Sequence, residues 1–212
     1  MSDLGRLRSM ARGSQGRSQT WETGDSLVNH IELIRRQVEI SMADPETRSL
    51  AVAIVSGAFD RVQVGPGSFV PGVPYHGRYY RGAADWASAQ TLCEQRDDMC
   101  ELTQLWNFGV LNVRYLQDAA GEDTYQTLRA TLEAGGGDCD DFCILFGSLA
   151  GAIGYRSIAR VISVHGDTWD HIYPVIKTRR GGWVALDATE KGKRAGWEFS
   201  SPAARQDFWL VK

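Results

Sequence analysis

The chain has 212 residues, of which 43% are hydrophobic and 23% are charged, a balance typical of one globular domain with or without extensions. Its formal net charge of -3 excludes the strong positive field that nucleic-acid binding or adhesion to an anionic membrane requires. Apolar runs are shorter than the roughly 20 residues of a membrane span, and the amino terminus has no signal-peptide core. We therefore expect no membrane or nucleic-acid partner, and a cytoplasmic or virion-borne protein rather than a secreted one.

Residues 1–25 are predicted to form an extended arm. This segment is rich in Gly, Ser, Arg and Gln and offers few side chains to bury. Its first twenty residues carry four arginines against a single acid. The composition is typical of a disordered tail; the alternative is an arm that becomes ordered on a virion or other protein partner.

Two helices are predicted next. Apolar residues after Asp25-Ser26 recur with helical spacing and form one stripe, made of Leu27, Ile31, Ile34 and Val38. Asp44 is a good N-cap, Pro45 suits the first helical position, and the second helix should end near Gly57.

The segment from Val64 to Gly82 holds three of the six prolines and several aromatic residues, so we predict an irregular loop there. Such a loop is a lid, a partner surface or a strap over the core. From Asp85 to about Arg114 the pattern indicates a helix with a break at Gly109. Together, residues 26–84 are predicted to be a helical extension followed by this loop.

The four cysteines are predicted to be free thiols. Cys93 and Cys100 are seven residues apart in the predicted helix, which separates their Cα atoms by about 10 Å along the axis. A disulfide bridges at most about 7 Å. Cys139 and Cys143 are one helical turn apart, which is also a poor disulfide geometry.

Three short β-branched segments follow Gly154 and are predicted to be strands, over residues 156–164, 171–178 and 182–189. Helices come first and an antiparallel sheet follows, so the fold class is α+β.

The stretch "GGGDCDDFCILFGSLAGAIG" predicts a buried helix with a reactive start. Asp138 is the expected N-cap, which places Cys139 in the first turn, where the helix dipole lowers a thiol pKa. Neighbouring carboxylates raise that pKa, so a basic partner is needed. Cys143 is interpreted as core packing.

The basic partner is predicted on the strands. In a hairpin centred near Arg179, His171 and Asp187 lie directly opposite each other and share a face of the sheet. The carboxylate would orient the imidazole and stabilise its charged form, as in a nucleophilic triad. A slip of one residue would put them on opposite faces.

At this point the sequence resembles a known family. "GGGDCDDFCILFGSLAGAIGYRS", "HIYPVI" and "GGWVALDAT" resemble the core of the transglutaminase-like superfamily, cysteine enzymes related to papain, over roughly Trp106 to Trp197. The resemblance implies a papain-like fold, with a central buried helix packed on an antiparallel sheet, over residues 85–212. It also implies that Cys139 is the nucleophile, His171 the general base and acid, and Asp187 the orienting carboxylate, with no cofactor and no metal.

The sequence also resembles small transglutaminase-like proteins of tailed bacteriophages, and this resemblance implies the bacterial host cytoplasm or the virion. The family often uses an upstream side chain as an oxyanion donor. Tyr125, Gln126 and Trp169 are the candidates here, besides the backbone N–H of Cys139.

Three functional hypotheses remain open. The first is a thiol-dependent hydrolase or acyltransferase on protein or peptide amide bonds, acting through an acyl-thioester. The second is a structural or binding component of a phage particle, with partner contacts through the arm and residues 64–82. The third is a metal site of Cys139, Cys143, His171 and an aspartate, although zinc clips use tighter cysteine spacings.

Overall fold

The computed structural model describes residues 19–22, 27–82, 93–94, 96–119, 122–166, 168–190 and 192–212. Its helices are α1 (Leu27–Ala43), α2 (Pro45–Ser56), α3 (Asp98–Asn112), α4 (Leu128–Ala134) and α5 (Cys139–Ala152). Its strands are β1 (Gln19–Glu22), β2 (Asp60–Gly65), β3 (Ser68–Tyr75), β4 (Arg78–Arg81), β5 (Arg114–Tyr115), β6 (Glu122–Tyr125), β7 (Gly136–Gly137), β8 (Arg156–Ser163), β9 (His171–Lys177), β10 (Trp183–Ala185) and β11 (Ala204–Val211).

The predicted α+β class and the central helix are confirmed. Four antiparallel strands form one sheet in the order β10-β9-β8-β11, after the helices in the chain. Helix α5 lies between this sheet and helices α1 to α4, and every residue from Asp141 to Gly151 is buried. One apolar cluster joins α5 to α2 and α3, and a second joins it to α1, β8 and β9. The helix that begins at Cys139 is therefore the centre of the core.

The first two helices are also confirmed. Helix α1 buries Ile31, Ile34 and Val38, as the apolar stripe predicted. The Asp44 side chain accepts a hydrogen bond from the Glu46 N–H, and Gly57 ends helix α2 in the left-handed conformation. Of the predicted arm, the structure describes only residues 19–22, which form β1 and pair with β6.

The prediction of an irregular loop over residues 64–82 is wrong, because β2, β3 and β4 form an antiparallel sheet there. Its three prolines are compatible with strands: Pro66 lies in the turn between β2 and β3, and Pro71 pairs with Arg61 next to the end of the β2–β3 ladder. Pro74 lies beyond that ladder and pairs with Tyr79 of β4. The Pro71 carbonyl accepts a hydrogen bond from the Gly82 N–H at the end of the β3–β4 ladder. His76 and Gly77 both have positive φ, as a two-residue hairpin turn requires. This sheet covers α2 with Val73 and Tyr75 rather than forming a mobile lid.

Among the described residues, the helix predicted over residues 85–114 begins later than predicted. Residues 85–92 lie outside the described residues, and α3 begins only at Asp98, capped by Asp97. The predicted break at Gly109 is wrong: this glycine is inside α3, where a Cβ would come within 2.4 Å of the Phe146 ring. Gly109 therefore permits the close approach of α3 to α5.

The prediction of four free thiols is wrong for one pair, since Cys93 and Cys100 form a disulfide with their Cα atoms 5.5 Å apart. The prediction assumed one helix through both residues. Because α3 starts after Cys93, the chain before it can fold back toward Cys100. Cys139 and Cys143 are free, as predicted.

The hairpin of β9 and β10 forms with a different register from the one assumed. Trp183 pairs with Lys177 and Ala185 with Val175, so the hairpin is centred on Arg180 rather than Arg179. Asp187 then lies opposite Tyr173, two residues from His171. A shift of two keeps a residue on the same face, so His171 and Asp187 remain neighbours.

No helix in the described part of the chain is both long and apolar enough to cross a bilayer.

Candidate active site

The glycines before Cys139 build the start of helix α5. Gly135 ends α4 with a φ of 65°, and β7 then pairs in parallel with β5. At Gly137 a Cβ would lie 2.5 Å from Asp141 Oδ2, so a larger residue would displace the carboxylate. The Asp138 side chain accepts from the N–H groups of Asp140 and Asp141, and Asp141 Oδ2 accepts from the Asp138 N–H. This capping box makes Cys139 the first residue of the helix.

Gln126 anchors that capping box. Its backbone N–H donates to Asp141 Oδ1 at 2.8 Å, and its side-chain amide donates to Asp141 Oδ2 at 2.6 Å. The other two predicted donors lie in different surroundings. Tyr125 is fully buried and its hydroxyl has no hydrogen-bond partner among the described residues, whereas Trp169 is exposed on the loop before β9. A role in holding an oxyanion stays a prediction for all three.

Asp187 holds the ring of His171. Its Oδ2 lies 2.8 Å from His171 Nε2, while Oδ1 accepts from the N–H and the hydroxyl of Thr189. The Trp106 indole donates to the Asp187 backbone carbonyl at 3.0 Å. Asp187 is buried, which opposes ionisation, but the bond from His171 and those from Thr189 lower its pKa below the usual value. An ionised Asp187 fixes the ring so that Nδ1 is the nitrogen left for a second partner.

Cys139 lies beside this pair. The N–H of Ile172, the residue after His171, donates to the Cys139 thiol, and the two side chains pack in the same apolar cluster. Burial raises the pKa of the thiol well above its usual value, and the carboxylates of Asp140 and Asp138 raise it further. The hydrogen bond from the Ile172 N–H lowers the thiol pKa, but by less than these causes raise it. The dipole of α5 is therefore outweighed, and the thiol is protonated at neutral pH.

The acids around the thiol are themselves perturbed. Burial, with the charge of Asp141, raises the pKa of Asp138 to about 7. Burial also raises the pKa of Asp141 to about 6, although the bonds from Gln126 lower it. Among the described residues, no group of three or more His, Cys, Asp or Glu side chains is arranged to hold a metal ion.

Tyr115 is a site residue that sequence reasoning missed. It lies in β5 opposite Gly137, and its side chain is about half exposed. Partial burial raises its pKa, and so do the nearby groups of Cys139, Asp138, Asp140 and Asp187. The phenol therefore lies near the thiol and near the carboxylate of the histidine pair. In the sequence, the only signal was its place in "WNFGVLNVRYLQD", before the cysteine helix.

Comparison with protein families gives a match to part of the chain. The family model described as "Transglutaminase-like superfamily" matches residues 86–188, a range that contains Cys139, His171 and Asp187. No curated protein matches significantly, and neither does any solved structure. Residues 86–188, just under half of the chain, are therefore similar to the transglutaminase-like superfamily.

Proposed function

We propose that the chain is a thiol-dependent hydrolase or acyltransferase that acts on amide bonds of proteins or peptides. The observation that carries this proposal is the hydrogen-bonded pair of His171 and Asp187 next to Cys139 at the start of α5. A nucleophile, a base within reach and a carboxylate that orients the base are the three parts of a nucleophilic triad.

The raised pKa of the thiol decides how the nucleophile forms. Because Cys139 is protonated at rest, His171 Nδ1 removes the proton as sulfur attacks the carbonyl carbon. The new C–S bond gives a tetrahedral anion, and Asp187 stabilises the imidazolium. The C–N bond then breaks, its electrons go to nitrogen, and the imidazolium returns the proton to the leaving amine. An acyl-thioester on Cys139 remains.

The second half of the reaction decides between hydrolysis and transfer. Water or an amine, deprotonated by His171, attacks the thioester, and the sulfur leaves and regains its proton. Water yields an acid, whereas an amine yields a new amide. Half-exposed Tyr115 is a candidate donor to the oxyanion in both halves, together with the Cys139 N–H and the earlier candidates Tyr125, Gln126 and Trp169.

A second candidate is a structural or binding component of a phage particle with an unused triad. The observation that favours it is again the protonated, partly buried thiol, which is less reactive than a preformed thiolate. On this alternative, residues 19–22 and the sheet of β2, β3 and β4 would serve partner contacts.

Acylation of Cys139 separates the two candidates. The native protein is treated with p-nitrophenyl acetate at pH 7, and peptide mass spectrometry locates and times the acyl group. The proposal expects fast acylation of Cys139, its loss in His171→Ala, and release of the acyl group by water or by an added amine. Buried Cys143 is the internal control. Acylation of Cys139 that is no faster than that of Cys143, or that is unchanged by His171→Ala, would favour the non-catalytic component.

A further inference from the structure

A cavity of about 620 Å³ lies next to the candidate active site, within the range typical of ligand pockets. One wall is a face of α3 that carries Met99, Thr103 and Trp106. The other wall is the turn after β10, from Arg194 to Glu198. In this turn the Gly196 N–H donates to the Ala185 carbonyl, and the Trp197 N–H donates to the Arg194 carbonyl. Backbone hydrogen bonds therefore hold both walls, those of helix α3 on one side and those of the turn on the other.

The two indoles that face the cavity are fixed in orientation. Trp106 donates its indole N–H to the Asp187 carbonyl at 3.0 Å. Trp197 packs on Phe199 with ring centroids 4.9 Å apart. Fixed aromatic faces bind a flat or bulky apolar group at low entropic cost. The cavity is thus preorganised for a large apolar side chain.

The charge at the rim is positive. Arg194 lines the cavity and has no ion pair among the described residues. Lys193 Nζ lies 4.6 Å from the centre of the Trp197 ring. Glu198 is the acid at the rim, and it is paired with Arg160 at 2.7 Å. A carboxylate next to the apolar group of a ligand would therefore meet Arg194 without displacing an existing partner.

The cavity and the histidine pair share residues. Trp106 binds the backbone of Asp187, whose side chain holds His171. Phe199 contacts Trp197 on one side and the His171 ring on the other, the latter with centroids 5.9 Å apart. A peptide with its scissile amide at Cys139 and His171 could thus extend one side chain into this cavity.

We propose that this cavity is a specificity subsite for a peptide that carries a large apolar side chain next to a carboxylate. As a substrate subsite it rests on the proposed function, but binding to it can be measured without turnover. The probe is N-acetyl-phenylalanine, which has both groups, and its matched control is the neutral N-acetyl-phenylalaninamide.

The experiment uses the full chain with Cys139→Ser and 5-fluorotryptophan at all seven tryptophans, observed by fluorine NMR. Titration with the acid should shift the resonances of Trp106 and Trp197, assigned through Trp→Phe variants. The exposed Trp183 and Trp209 on the sheet are internal controls and should not move. The neutral amide should bind about two- to fivefold more weakly, as expected for a partly exposed ion pair.

Two variants sharpen the result. Arg194→Glu should weaken binding of the acid at least two- to fivefold and leave binding of the amide unaffected. Arg205→Glu, on β11, is the matched control and should change neither affinity. Thr103→Trp fills the cavity and should abolish both shifts, with a thermal melt to verify folding. Shifts that are absent, or equally large at Trp183 and Trp209, overturn the proposal. Shifts that depend on protein concentration without probe would instead assign the cavity to a second copy. Binding without any acylation of Cys139 in the wild type would leave the subsite intact and defeat the proposed function.

Discussion

Asp140→Asn tests how the acids at the start of α5 control the thiol. Asp140 Oδ1 lies 4.0 Å from Cys139 Sγ, and its charge is the largest cause, after burial, of the raised thiol pKa. Asparagine keeps the shape and the acceptor oxygen but removes the charge. Burial and the charges of Asp138 and Asp141 raise the pKa of Asp140 itself well above its usual value, so the wild-type side chain is charged only above that pKa. In that pH range the substitution should lower the pKa of Cys139 and increase the fraction of thiolate.

The distance sets the size of the effect. Two unit charges about 4 Å apart interact by about 4 kcal/mol at an effective dielectric constant of about 20. Asp140 is only half-buried, so we take roughly half of this, about 2 kcal/mol, which is about a 30-fold gain in thiolate. A less basic thiolate is also a weaker nucleophile, which removes about half of the gain on a logarithmic scale. Alkylation should therefore become about fivefold faster at a pH at which wild-type Asp140 is ionised.

Iodoacetamide labelling measures this rate. The reaction is quenched at intervals from pH 6 to pH 10, and mass spectrometry of the Cys139 peptide gives the labelled fraction. Asp60→Asn, an exposed residue of β2, is the matched control and should match the wild type. An Asp140→Asn rate within twofold of the wild type, or below it, at every pH from 6 to 10 would refute the assignment of Asp140 as a charge that raises the thiol pKa.

Four further predictions follow from the same contacts. Asp187→Asn should slow acylation of Cys139 by p-nitrophenyl acetate about 100-fold or more, because asparagine no longer stabilises a charged His171; equal rates would exclude Asp187 from the proposed triad. Gly109→Ala should lower the free energy of unfolding in urea by about 1–2 kcal/mol, since the clash with Phe146 exceeds the gain in helix propensity; a stabilised variant would contradict this packing. Burial raises the pKa of Asp138 to about 7, so the folded chain retains a proton that the unfolded chain releases near pH 4. Stability from this group is present at low pH and falls as the pH rises to about 7, and urea titrations at pH 5 and pH 8 should show a smaller difference in Asp138→Asn. Thiol titration in denaturant should count two free thiols before reduction and four after it, whereas four before reduction would exclude the disulfide.

Local chemistry explains why much of the site was predictable. The cap of α5 depends on residues within three positions of one another, so Gly137 and Asp138 were sufficient to place Cys139 at a helix start. The pairing of His171 with Asp187 survived a register error, because the side chains of a strand alternate with a period of two and the error was two residues. Both inferences needed only backbone geometry that nearby residues encode.

Tertiary structure decided what distant segments do to one another. The disulfide of Cys93 and Cys100 depends on where α3 begins, and the position of Tyr115 near the thiol depends on the pairing of β5 with β7. The neighbouring carboxylates were evident in the sequence, but the largest cause of the protonation of Cys139 is the burial of the site, which the sequence does not reveal. The sequence by itself therefore determined which residue begins the central helix and which strand residues share a face. Only the packed chain decided the charge of the thiol, because that charge depends on how much water the surrounding segments exclude and on where their carboxylates lie.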